Sequence, residues 1–221
     1  MEKINQIFDK LDEWRHLPSY QLERRFDIFL SIYLSQIIEK YFKTTISKII
    51  PEFPFRTGDI KINHRRPNKS YKIDYLAISE ISKQIYLIEL KTDSESIRQE
   101  QIEMMKKVSK YSCKKMTDGI IKIYNESKNA YLKYKTKHQF LLEMLTKSDI
   151  GWVEKKENDY ISICSDYEKK IVFIQPKVIK EYTDISIITF EDIIKLLDSE
   201  NDLLLERIKQ SLKTWINDPV N

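Results

Sequence analysis

Glycine is the scarcest structural resource in this chain: Gly58, Gly119 and Gly151 are the only three in 221 residues. None falls in a GxGxxG or GxxxxGK pattern, which argues against a nucleotide-binding loop whose bare backbone cradles phosphates. Cysteine is scarcer, with only Cys113 and Cys164, and histidine is limited to three scattered residues. That leaves no zinc-ligand spacing, and the two cysteines are expected to be buried thiols in a reducing compartment. No apolar run approaches the roughly 20 residues needed to cross a bilayer, and the opening MEKINQIFDK lacks an apolar signal core. These absences predict a cytoplasmic protein. Neither sign of charge dominates: 38 Lys and Arg face 34 Asp and Glu, for a net charge of +4. Any grip on nucleic acid must therefore come from a local patch and not from the overall field.

The length suits one domain spanning 1–221 with a full core. The stretch SYQLERRFDIFLSIYLSQIIEKYF places Leu22, Phe26, Phe29, Leu30, Tyr33 and Ile37 at helical spacing, predicting an amphipathic helix. Pro51, Pro54 and Gly58 read as breaks, and GDIKINHRRPNKS as a short strand entering a basic loop. Two apolar strands follow in KIDYLAISEISKQIYLIELKTDS, then a helix through IRQEQIEMMKKVSKYSCKKM that Asp118 and Gly119 should interrupt. A second helical tract is expected from Ile120 to Lys147, with Tyr131, Tyr134, His138, Leu141, Leu142 and Leu145 as candidate buried positions. Strands follow in DYISICSDYEKKIVFIQP and ISIITF. Thr189 with Asp192 nearly matches a capping box, and DLLLERIKQSLKTWI forms a closing helix. No internal repeat or low-complexity linker interrupts this order. It predicts an α/β fold with a mixed central sheet flanked by helices, the 118–150 segment being a helical insertion between the core helix and the later strands.

Each of the two central strands carries a carboxylate inside an otherwise apolar run: Asp74 in the first, Glu89 in the second, with Lys91 two places on. A tight turn centred between Ile81 and Ser82 would set Asp74 across from Glu89. Like charges so placed destabilise a sheet unless a cation offsets them. Mg²⁺ suits such a pair, since it takes carboxylate and carbonyl oxygens and is often held by one or two carboxylates plus substrate phosphate. Period-2 alternation puts Glu89 and Lys91 on one face, with Ile88 and Leu90 on the other, and makes the Leu90 carbonyl a candidate third ligand. The competing reading is a solvated outer face on which Lys91 merely pairs with its neighbours.

Asp74 and Glu89-Leu90-Lys91, on adjacent strands between amphipathic helices, resemble the PD-(D/E)XK nuclease superfamily, the restriction-endonuclease-like fold. The chain departs from the pattern at Ile73, where the signature has proline. The resemblance implies a divalent-metal-dependent nuclease acting on phosphodiester bonds, with DNA the expected partner. Asp74, Glu89 and the Leu90 carbonyl would bind Mg²⁺ or Mn²⁺. Lys91 would orient or help deprotonate the attacking water and stabilise charge on the phosphate. It also implies a further acidic residue on the first helix, for which Glu23 is the candidate and Asp27 its rival.

Arg98 and Gln101, in the first turns of the helix after the signature, are candidate DNA-phosphate contacts. Some relatives carry Gln-x-x-x-Tyr there, but Met105 stands four residues after Gln101. Arg65, Arg66 and Lys69 lie on the basic loop ahead of Asp74 and could grip the backbone beside the scissile bond. A homodimer or one subunit of a larger complex fits the superfamily, with 118–150 as a possible dimer arm, lid or DNA clamp. The second reading is an inactive nuclease-like module that binds nucleic acid or protein.

Overall fold

The computed structural model describes residues 2–60, 69–93, 96–126, 132–146, 150–157, 159–198 and 202–217. In chain order these form α1 (Glu2–Trp14), α2 (Leu22–Phe42), β1 (Lys48–Arg56), α3 (Thr57–Ile60), β2 (Ser70–Ser79) and β3 (Gln84–Leu90). The helices α4 (Gln99–Val108), α5 (Cys113–Glu126) and α6 (Leu132–Thr146) come next. The strands β4 (Val153–Lys156), β5 (Asp159–Ser162), β6 (Glu168–Gln175) and β7 (Ile185–Thr189) precede α7 (Phe190–Leu196) and α8 (Leu203–Asn217). The class is α/β: a five-stranded sheet in the order β1-β2-β3-β6-β7, flanked by helices, with β4 and β5 as a separate ribbon. The sheet is mixed. β1 and β2 are antiparallel, whereas β3 and β6 run the same way. Glu168 N–H donates to the Lys83 carbonyl at one end and Lys91 N–H to the Ile174 carbonyl at the other. No helix among the described residues is long and apolar enough to cross a membrane.

Contacts divide the chain into two compact units. The first comprises Met1–Thr44, Ile88–Arg98 and Val172–Asn221. Its core is helical: Phe26 of α2 meets Trp215 of α8 edge to face at 4.7 Å, and Phe190 of α7 lies 6.2 Å from the same indole. Asp12 of α1 fastens this packing, accepting from Trp215 Nε1 at 2.8 Å, Arg207 at 2.9 Å and Ser211 Oγ at 3.0 Å. One carboxylate thereby serves three donors of α8, of which Arg207 also reaches Asp9 at 2.7 Å. Asp202 starts α8 by accepting from Leu204 N–H at 2.8 Å, while its other oxygen takes the Tyr33 hydroxyl of α2 at 2.5 Å. The expected capping box at α7 is present: Asp192 N–H donates to Thr189 Oγ1 at 3.1 Å and Thr189 N–H to Asp192 Oδ2 at 2.8 Å.

The second unit comprises Thr45–Leu87 and Gln99–Ile171. Pro51 and Pro54, read in sequence as breaks, lie inside β1, which pairs with β2 from Lys48↔Ile78 to Arg56↔Ser70. The prolines are tolerated because β1 is the edge strand, where one side of the backbone needs no ladder partner. Where the sequence suggests a short strand from Gly58, Thr57–Ile60 form the single helical turn α3, and residues 61–68 of that stretch lie outside the described residues. The interruption expected at Asp118 and Gly119 falls instead at 109–112, between α4 and α5. Gly119 sits within α5 for steric reasons: a Cβ there would come 3.1 Å from Asp59 Oδ2 and 3.4 Å from Arg56 Cβ. Of the candidate positions in the second tract, Leu142 and Leu145 are buried and His138 and Leu141 half-buried. Tyr131 and the Tyr134 side chain lie outside the described residues.

The cysteine expectation is overturned. Cys113, at the start of α5, and Cys164 form a disulfide with Cα atoms 5.9 Å apart. With it goes the cysteine-based argument for a reducing compartment, since such bonds persist in oxidising ones. Two cysteines 51 residues apart carry no spacing signal, so only the fold reveals that they meet.

Candidate active site

The first unit holds Glu89 and Lys91 at the end of β3, in an apolar run buried on both faces. Glu89 is 2% exposed and Lys91 6%. For Glu89 the solvated-face reading therefore fails. A carboxylate and an ammonium so deeply placed are tolerated only when paired and hydrogen-bonded. The Lys91 ammonium lies 3.5 Å from Glu89 Oε2, donates to the Leu90 carbonyl at 3.0 Å, and sits 3.3 Å from each oxygen of Glu23. Glu23 occupies the first turn of α2, where its charge also favours the helix dipole. Of the two acidic candidates on that helix, Glu23 is the one brought to the lysine, and Asp27 is half-buried one turn further on.

Asp74 lies on β2 in the second unit and is half-buried. Pairing of β2 with β1 runs without slip, yet between Pro51↔Tyr75 and Phe53↔Ile73 one position is passed over, where Glu52 faces Asp74. Glu52 adopts a left-handed backbone, φ 52°, uncommon for a residue with a side chain. Such outliers concentrate at functional sites. The Glu52 side chain pairs with Lys72. The turn between β2 and β3 spans Glu80–Lys83 and is centred between Ile81 and Ser82, as the sequence predicts.

A cavity of about 490 Å³ adjoins Lys91's partner: Glu23, Arg15, Arg24, Thr92, Asp93 and Arg98 are among its lining residues. Arg98 is exposed just before α4, whereas Gln101, in the first turn of α4, belongs to the second unit and is half-buried. Sequence reasoning missed Arg15, which is only 4% exposed although it follows a helix of surface charges. Its guanidinium lies 5.7 Å from the Trp215 ring centroid, a placement for which WRHLPSY holds no local cue. Of the basic-loop candidates, Lys69 is exposed and its carbonyl accepts Thr57 N–H at 2.7 Å, while Arg65 and Arg66 lie outside the described residues.

Among the described residues, no three carboxylate, imidazole or thiol groups converge into a ready metal cage. Mg²⁺ demands less, taking one or two carboxylates and filling its octahedron with carbonyls, waters and substrate phosphate. The Glu89 carboxylate and Leu90 carbonyl are hard oxygens of that kind, and both already face one cation, the Lys91 ammonium. The donor chemistry thus fits. Comparison with protein-family models, with curated proteins and with solved structures finds no match for this chain.

Proposed function

We propose that this chain is a divalent-metal-dependent nuclease of restriction-endonuclease-like fold, hydrolysing phosphodiester bonds in DNA. The observation that carries the reading is the burial of Lys91 between Glu89 and Glu23 at the end of a central strand. A structural ion pair has no need of two carboxylates around one buried ammonium, and replacing such a group by apolar residues is often neutral or stabilising. Retaining it against that cost suits chemistry in which a lysine and a carboxylate face a phosphate.

Glu89 and the Leu90 carbonyl would hold Mg²⁺ or Mn²⁺, and Asp74 is the further ligand that the resemblance implies. When bound, the ion supplies Lewis acidity at a phosphate oxygen and a water acidic enough to attack at neutral pH. Lys91 orients that water and donates to the oxygen on which charge accumulates as the P–O bond breaks. Glu23 is a positioning residue, holding the ammonium at the strand end while the substrate approaches. Arg98, Lys69, Gln101, Arg65 and Arg66 are assigned to the DNA backbone.

The test is cleavage of linear, circular and single-stranded DNA with Mg²⁺, Mn²⁺ or EDTA, by the wild type beside Asp74→Ala and Lys91→Ala. Metal-dependent cutting that drops by roughly 10²- to 10³-fold in each variant supports the reading. No cutting of any substrate, together with no calorimetric metal binding that Asp74→Ala removes, would sink it. The second reading is an inactive module for nucleic acid or protein. It takes first place on that outcome.

A further inference from the structure

The cavity beside Glu23 has a charge pattern that general backbone contact does not require. Arg15, Arg24 and Arg98 come from three separate stretches of chain and line one concavity of about 490 Å³. That volume falls within the usual range for a small-molecule site and has room for one nucleotide, not for a duplex. Arg15 is the unusual member, being 4% exposed. The planar fork of a guanidinium matches phosphate oxygens two at a time. Two carboxylates share the lining, Asp93 and Glu23, and the latter is engaged by Lys91 at 3.3 Å. The hydroxyl of Thr92 adds a neutral donor, and that of Ser96 already donates to the Asp93 carbonyl at 2.8 Å.

We propose that this cavity receives the terminal phosphate of a nucleic-acid strand, so that the protein recognises a phosphorylated end. The assignment of a strand, as opposed to a free phosphomonoester, rests on the nuclease reading. A phosphodiester within a strand carries one negative charge and two open oxygens. A terminal monoester carries about −1.5 to −2 and three acceptor oxygens. Three guanidinium groups around one small concavity match the second better than the first.

The experiment uses the full chain in EDTA, so that nothing is cut. Fluorescence anisotropy measures binding of short single strands ending in 5′-phosphate, in 3′-phosphate, or in hydroxyls at both ends, with inorganic phosphate as competitor. One phosphorylated end should bind about tenfold tighter than the hydroxyl-ended strand, as a charge-assisted contact warrants. The doubly substituted Arg24→Ala/Arg98→Ala protein, altered at two exposed positions, should lose that preference while its circular dichroism is unchanged. Equal affinity for all ends, or a preference that survives the double substitution, overturns the proposal. Inorganic phosphate competing as well as a phosphorylated strand overturns the strand assignment. End preference without cleavage under any metal leaves the cavity standing and removes the nuclease reading. Cleavage indifferent to end chemistry does the reverse.

Discussion

Lys91 and Glu89, two residues apart on one strand, form an ion pair of 3.5 Å in a region where both are almost wholly buried. Removing Lys91 takes away the cation that Glu89 and Glu23 both face. Lys91→Met should therefore lower stability by about 3–5 kcal/mol, as breaking a buried pair does. Lys91→Met combined with Glu89→Gln should recover most of that loss. Urea unfolding of the two variants beside the wild type checks it, and equal destabilisation in the single and double variants would show that the pair is not the cause.

The Asp12 carboxylate is expected to matter far more than its neighbour on the same helix. Asp12→Ala leaves Trp215 Nε1 and Ser211 Oγ short of an acceptor and takes one of two carboxylates from Arg207, and should cost about 2–4 kcal/mol, from hydrogen bonds of roughly 1 kcal/mol each plus the charged contact. Asp9→Ala removes only an exposed bond to Arg207 and should cost no more than about 1 kcal/mol. Denaturant midpoints of the two variants, measured side by side, decide the ranking.

Tyr33 and Asp202 link stability to pH at both extremes. The hydrogen bond from Tyr33 holds the Asp202 carboxyl below its ordinary range. Its contribution is present above about pH 4, the unfolded value, and disappears as pH falls through the lower folded one. Burial, and then the bond to Asp202, pushes the Tyr33 phenol far up. That contribution is complete below about pH 10 and disappears as pH rises through the folded value. Tyr33→Phe should flatten both limbs of the stability profile, and a profile unchanged in shape would refute the linkage.

The Cys113–Cys164 bond closes a loop with a sequence separation of 51, so reduction should lower stability by about 2–4 kcal/mol through the unfolded state. Thermal melts with and without reductant test this, alongside Cys113→Ala/Cys164→Ala, which should melt with the reduced protein. Alkylation in denaturant without reductant should label neither cysteine. Labelling of both would show that the bond does not form.

The elements most legible in sequence were those whose cause is local. Thr189 and Asp192 cap α7 because two short polar side chains three residues apart can reach each other's backbone whatever surrounds them. The alternation that set Glu89 and Lys91 on one face needed only the strand period, and the turn at Ile81 and Ser82 only its polar break. What misled was non-local. Proline forbids a ladder donor but not an edge position, and nothing near Pro51 says that β1 has one free side. Gly119 looked like a helix break because its true reason, the approach of Asp59 and Arg56, comes from some 60 residues upstream. Arg15 was unreadable for the same reason: the ring it lies over, Trp215, is distant in sequence. The charge of Glu89 was visible, but its near-total burial depends on neighbours that sequence alone does not identify.

The interleaving of the two units sets an order of events during synthesis. Every segment of the second unit lies before Val172, so it can be complete while the last 50 residues, Val172–Asn221, are still to come. Glu23, Glu89 and Lys91 belong to the first unit, which needs that final stretch for β7, α7 and α8. Until then the apolar face of α2 lacks Trp215 and Phe190 as packing partners, a state prone to non-productive association. The long sequence separation of these contacts also predicts slow closure. The buried Glu89–Lys91 end of β3 would thus be assembled only once Val172–Asn221 has been made.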